Sequence, residues 1–82
     1  MDADADLSRM TREIHEMPDD VRAALEGRGL MAAYHQRPPY QQNDYVGWIS
    51  RSRLPTTRAK RLAQMLDELE AGGIYMHMKW RS

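Results

Sequence analysis

Five basic side chains, Arg51, Arg53, Arg58, Lys60 and Arg61, fall between positions 51 and 61, a stretch without aspartate or glutamate. Such a stretch has three physical uses: a solvated face, internal ion pairs, or a surface that holds an anion. Arginine suits the last, because its planar donor fork matches a carboxylate or phosphate. Pro55, Thr56 and Thr57 read as the opening of a helix, where hydroxyls and unbonded amides add donors. The candidate binding residues are therefore Arg53, Thr57, Arg58 and Arg61, with Tyr40 as an apolar edge. Arg58 lies near a helix start, where a cation opposes the helix dipole. That placement calls for a carboxylate or phosphate, and Asp44 is the expected internal partner. The outline of helix, short connection and helix also matches a helix-turn-helix. This makes nucleic acid the alternative ligand, although many helical hairpins share the outline without touching DNA.

Other chemistry finds no support. Cysteine is absent, which removes thiolate catalysis and disulfides. His15, His35 and His77 are too scattered for a recognised zinc spacing. Glu68 and Glu70 fall on different helix faces, and Asp67 pairs with neither for acid/base work. No glycine-rich phosphate loop or nucleophile elbow occurs. The expectation is a protein without catalytic residues, metal or cofactor.

The elements that position the basic stretch follow from apolar spacing. Leu7, Met10, Ile14 and Met17 recur at three- and four-residue steps and predict a helix over 6–16. Asp19 is placed to cap a short helix carrying Val21, Ala24 and Leu25, with Gly27 and Gly29 at its exit. Leu30, Ala33 and Tyr34 suggest another, ended by Pro38-Pro39. Tyr45, Trp48 and Ile49 share one face of a helix over 39–51. Leu62, Met65, Leu66 and Leu69 form the clearest stripe, on a helix over 55–71 that Gly72-Gly73 stops. The expected core is Leu25, Leu30, Tyr45, Trp48, Ile49, Leu62, Leu66 and Leu69. The fold class is all-α: one bundle of four to five short helices over 6–73, after a flexible acidic tail at 1–5.

The last segment, 74–82, changes period. Ile74, Met76, Met78 and Trp80 alternate with Tyr75, His77 and Lys79, a strand-like pattern. A lone strand leaves its backbone groups unpaired. The extended arm therefore covers the core, pairs with its counterpart in a dimer, or stays mobile.

With 82 residues and zero net charge, the chain suits one small domain, whose stability depends on close packing. Charge is divided unevenly: eight acids against four Lys/Arg in 1–36, four against eight in 37–82. The dipolar chain suits an acidic protein or small anion as partner, or pairing between its own halves. A duplex-DNA binder is usually more basic overall. No basic, apolar leader opens the chain and no run is long enough to span a bilayer, so a cytoplasmic monomer or weak dimer is expected.

The stretch Pro38-Pro39-Tyr40-Gln41-Gln42-Asn43-Asp44-Tyr45-Val46-Gly47-Trp48-Ile49 resembles the YdeI/OmpD-associated family. Thr57-Arg58-Ala59-Lys60-Arg61-Leu62 and Leu66-Asp67-Glu68-Leu69-Glu70-Ala71-Gly72-Gly73 extend the match. The resemblance covers most of 18–80. It implies a compact helical domain of bacterial proteins associated with stress tolerance or bacteriocin protection, of poorly defined activity. Tyr45, Trp48, Ile49, Thr57, Arg58 and Arg61 match its pattern, which implies a shared core or binding corner. Where the family pattern has a Pro-Glu-Thr-Arg portion, this chain has Pro55-Thr56-Thr57-Arg58. Thr56 removes a negative charge there and makes the surface more receptive to an anion.

Overall fold

A computed structural model describes residues 15–80. The expected tail at 1–5 and most of the helix expected over 6–16 lie outside these residues. Within them, four helices run in order: α1 Asp19–Arg28, α2 Met31–Gln36, α3 Pro39–Ser50 and α4 Pro55–Ala71. A hairpin follows, with β1 at Ile74–Tyr75 and β2 at Met78–Lys79. The fold is broadly all-α, with α4 packing against α1, α2, α3 and β1.

Prolines open α3 and α4 at the first helical position, where a missing N–H costs nothing. Asp19 does not cap α1. Pro18 holds the cap position, and Asp19 and Asp20 occupy the first turn, where carboxylates favour the dipole. α4 ends at Gly72, whose φ of +86° suits a residue without Cβ.

The core is Val21, Leu25, Tyr34, Tyr45, Val46, Ile49, Met65, Leu66 and Leu69. Leu30, Trp48 and Leu62, expected inside, are only partly buried at its margin. Trp48 lies near the end of α3, with a guanidinium over its ring.

The last segment is not one extended arm. It folds back on itself, with Ile74 opposite Lys79 and Tyr75 opposite Met78. The alternation corresponds to the two short strands, but the reversal at Met76-His77 carries no glycine, asparagine or aspartate to announce it. Both residues have positive φ, +50° and +67°. This conformation is unfavourable for side chains of this size and persists only where the surroundings impose it.

Gly47 lies on the buried side of α3 because His15 crosses it. A Cβ built there would stand 2.7 Å from His15 Nε2 and 2.8 Å from Cδ2. The crossing is pinned by the His15 N–H, which donates to Asn43 Oδ1 at 2.8 Å. Gly47→Ala gains helix propensity but must displace the imidazole. We expect a net loss of about 1 kcal/mol and a shift of the Asn43 side-chain amide in NMR spectra. An unchanged amide and a higher melting temperature would show that the notch is not needed.

Candidate functional site

The α3–α4 junction holds the basic stretch, and tertiary contacts divide its cations into two groups. Arg58 turns inward to α1. Its Nε donates to Asp20 Oδ2 at 2.8 Å and its Nη2 to Asp20 Oδ1 at 2.9 Å. The expected partner Asp44 is elsewhere, accepting from the Tyr75 hydroxyl at 2.5 Å. The Arg58 bond, more than charge at a distance, holds Asp20 below the usual aspartate pKa, and Asp20 raises Arg58 in return.

Arg61 turns to α3 and donates to the Trp48 carbonyl at 2.6 Å, with its guanidinium carbon 5.2 Å from the indole centre. Arg58 Nη1 reaches the Ile49 carbonyl at 3.3 Å, and Ser52 Oγ donates to the same oxygen at 2.6 Å. These carbonyls close α3, so Arg58, which opposes the dipole of α4, and Arg61 both complement the negative end of α3.

Arg51, Arg53 and Lys60 remain exposed, with no ion pair to any of them among the described residues. Thr57 is half-buried and Leu54 is 62% exposed. Tyr40 is not brought to this corner. It stands at the opposite end of α3, its ring edge-on to Tyr75 at 5.9 Å.

The Arg58–Asp20 pair is bidentate but near the surface, so its coupling is modest. A double-mutant cycle with Arg58→Ala and Asp20→Ala should give about 1 kcal/mol, shrinking with added salt. Additive single losses would remove Asp20 as the partner.

A second polar cluster sits below the hairpin. Glu68 on α4 is 4% exposed. Its Oε1 accepts from the Tyr45 hydroxyl at 2.5 Å and the Met76 N–H at 2.8 Å. Its Oε2 accepts from Gln64 Nε2 at 3.1 Å and the His77 N–H at 2.8 Å. Burial alone would raise the Glu68 pKa, but the four donors together hold it below the usual glutamate value. Burial, and then the carboxylate bond, push the Tyr45 phenol well above its ordinary range.

Beside this cluster Arg37 is 4% exposed. It donates to Gln41 Oε1 at 3.0 Å and to the Glu68 carbonyl at 2.9 Å, with Trp80 stacked 4.6 Å away. An open groove between α4 and the hairpin is lined by Lys60, Gln64, Asp67, Ile74 and His77, with Glu68 at its floor.

The sequence reading sets Glu68 aside as an acid/base group and gives Arg37 and Gln41 no role. One signal was available for Glu68: it follows Met65 by three and adjoins Leu69, which puts it at the edge of the buried stripe. Nothing local marks Arg37, whose guanidinium meets its partners only after α2 and α4 have packed.

Among the described residues no helix is long and apolar enough to cross a membrane. A family model described as bacteriocin-protection, YdeI or OmpD-associated matches residues 15–72. No curated protein and no solved structure matches the chain.

Proposed function

We propose, for this chain that belongs to the bacteriocin-protection, YdeI or OmpD-associated family, a role as a stress-associated interaction domain without catalysis of its own. Its partner is an acidic protein or small anion, received at the α3–α4 junction by a cytoplasmic monomer or weak dimer. The observation that carries the reading is the division of cations at one corner. Arg58 and Arg61 are spent on Asp20 and on the end of α3, which stiffens the junction. Arg51 and Arg53 stay exposed beside it. A rigid backbone limits the freedom lost when a carboxylate docks to ordering the exposed side chains themselves, and their charge favours the encounter.

The absence of catalysis is argued from Glu68. Its two oxygens already accept four hydrogen bonds. A carboxylate so satisfied, with a lowered pKa, is a poor proton acceptor at neutral pH.

The helix-junction-helix outline supports nucleic acid as the second reading, with Thr56 and Thr57 on the first turn of α4. One titration separates the two. Labelled poly-glutamate and a labelled DNA duplex are each titrated with the protein at low and moderate salt. The proposal expects poly-glutamate to bind more tightly, weakening with salt, and Arg51→Ala/Arg53→Ala to remove the binding without changing the melting temperature. Preference for the duplex would transfer the site to nucleic acid. No binding of either at low salt would defeat both readings.

A further inference from the structure

Leu54 is the most exposed large apolar side chain among the described residues, at 62%. It also holds the cap position before α4, with extended backbone and no side-chain hydrogen bond to the helix. Serine, threonine, aspartate or asparagine at that position would satisfy a free amide and stabilise the helix. Leucine there does neither, and it packs into no core. The folded domain gains little from an apolar side chain at this place.

Its charged neighbours along the chain are of one sign. Arg53 precedes it and Arg51 lies at the end of α3, both exposed. Between Asp44 and Asp67 the chain carries no acid. The carboxylate that α1 brings to the corner, Asp20, is taken up by Arg58. The aromatic surface at the corner, Trp48, has Arg61 over its ring.

We infer that Leu54 is the apolar anchor of a docking surface for an acidic polypeptide segment, one whose own apolar side chain is flanked by aspartates or glutamates. The inference rests on the proposed function and specifies the partner's chemistry. Charge complementarity selects the flanking carboxylates. Leu54 selects the apolar centre, because contact with it removes apolar surface from water on both sides. Single-stranded nucleic acid fits less well, since it gains affinity by stacking on free aromatic faces, and one face of the partly buried Trp48 is taken by Arg61.

The test uses the full chain and three labelled probes: a short Glu/Asp peptide with a central Leu-Leu pair, the same peptide with Ser-Ser, and an oligothymidine of equal length. The Leu-Leu peptide is expected to bind roughly tenfold more tightly than the Ser-Ser peptide. Leu54→Ser should abolish that preference while its melting temperature stays level or rises. Arg53→Ala should weaken both peptides alike.

Equal binding of the two acidic peptides would overturn the role of Leu54 and leave the acidic-partner reading standing. A preference for Leu-Leu that survives Leu54→Ser would place the apolar contact elsewhere and overturn the assignment. Tighter binding of oligothymidine, or no binding by any probe at low salt, would overturn the inference together with the reading beneath it.

Discussion

Glu68→Ala lowers folding stability by about 3–5 kcal/mol, a large share of what a domain of this size possesses. The loss comes from what remains when the carboxylate is gone. Tyr45 is fully buried and loses the acceptor for its hydroxyl. The amides of Met76 and His77 lose theirs, in a turn whose positive φ angles are already unfavourable. The buried Tyr45 hydroxyl left unsatisfied costs about 1–3 kcal/mol, and the two part-buried amides add smaller losses because water can reach them. Glu68→Gln preserves shape but turns an amide donor toward other donors, and is expected to cost about 2 kcal/mol. Denaturant unfolding measures both losses. Amide exchange of the hairpin, compared with that of α4, shows whether the hairpin opens first. Wild-type stability in Glu68→Ala would mean that the carboxylate does not hold the turn.

The same group sets a pH limit. Its folded pKa lies below the unfolded value of roughly 4.3. Its stabilisation is therefore complete above that value and lost as pH falls through the lower folded one. Tyr45 acts at the other flank. Its raised folded pKa makes its contribution complete below roughly pH 10, and stability declines above that as the phenol is forced to ionise. Glu68→Gln should flatten the acid side of the stability curve, and an unaltered acid limb would assign it to other carboxylates.

Arg37→Ala is the second large effect, at about 3 kcal/mol. Arg37 is where the chain passes from α2 to α3, and its guanidinium reaches the Glu68 carbonyl near the end of α4. Truncation leaves Gln41 Oε1 short of a donor, takes one of two donors from that carbonyl, which keeps the Gly72 N–H at 2.9 Å, and removes the cation stacked on Trp80. Arg37→Lys is expected to recover less than half, because one ammonium cannot reproduce the planar fork or the stack. A quenched or shifted Trp80 fluorescence should accompany the loss. Full rescue by lysine would show that charge alone, not geometry, is what the site requires.

Glu68 and Arg37 also show where sequence reasoning stopped. Periodicity located α4 at 55–71 and its stripe, because an apolar face must repeat every turn whatever it packs against. Proline and glycine marked helix starts and ends for equally local reasons. The hairpin turn was missed, since Met76 and His77 reverse the chain only because a carboxylate from α4 accepts both their amides. The basic stretch was visible as composition. Its division into Arg58 and Arg61 on one side and Arg51, Arg53 and Lys60 on the other was not.

The amino-acid sequence by itself thus determined the all-α class, the helix limits of α3 and α4 to within a residue, most of the apolar core, the family, and the concentration of positive charge at one junction. All of these are carried by residue type and short-range spacing. Tertiary structure alone decided which cations are spent, which carboxylate is buried, and how the last strand finds its pair. Those outcomes depend on partners distant in the chain: Asp20 with Arg58, Tyr45 with Glu68, Glu68 with the turn at Met76-His77. Hydrogen bonds act over about 3 Å, so they exist only once folding has brought such residues together.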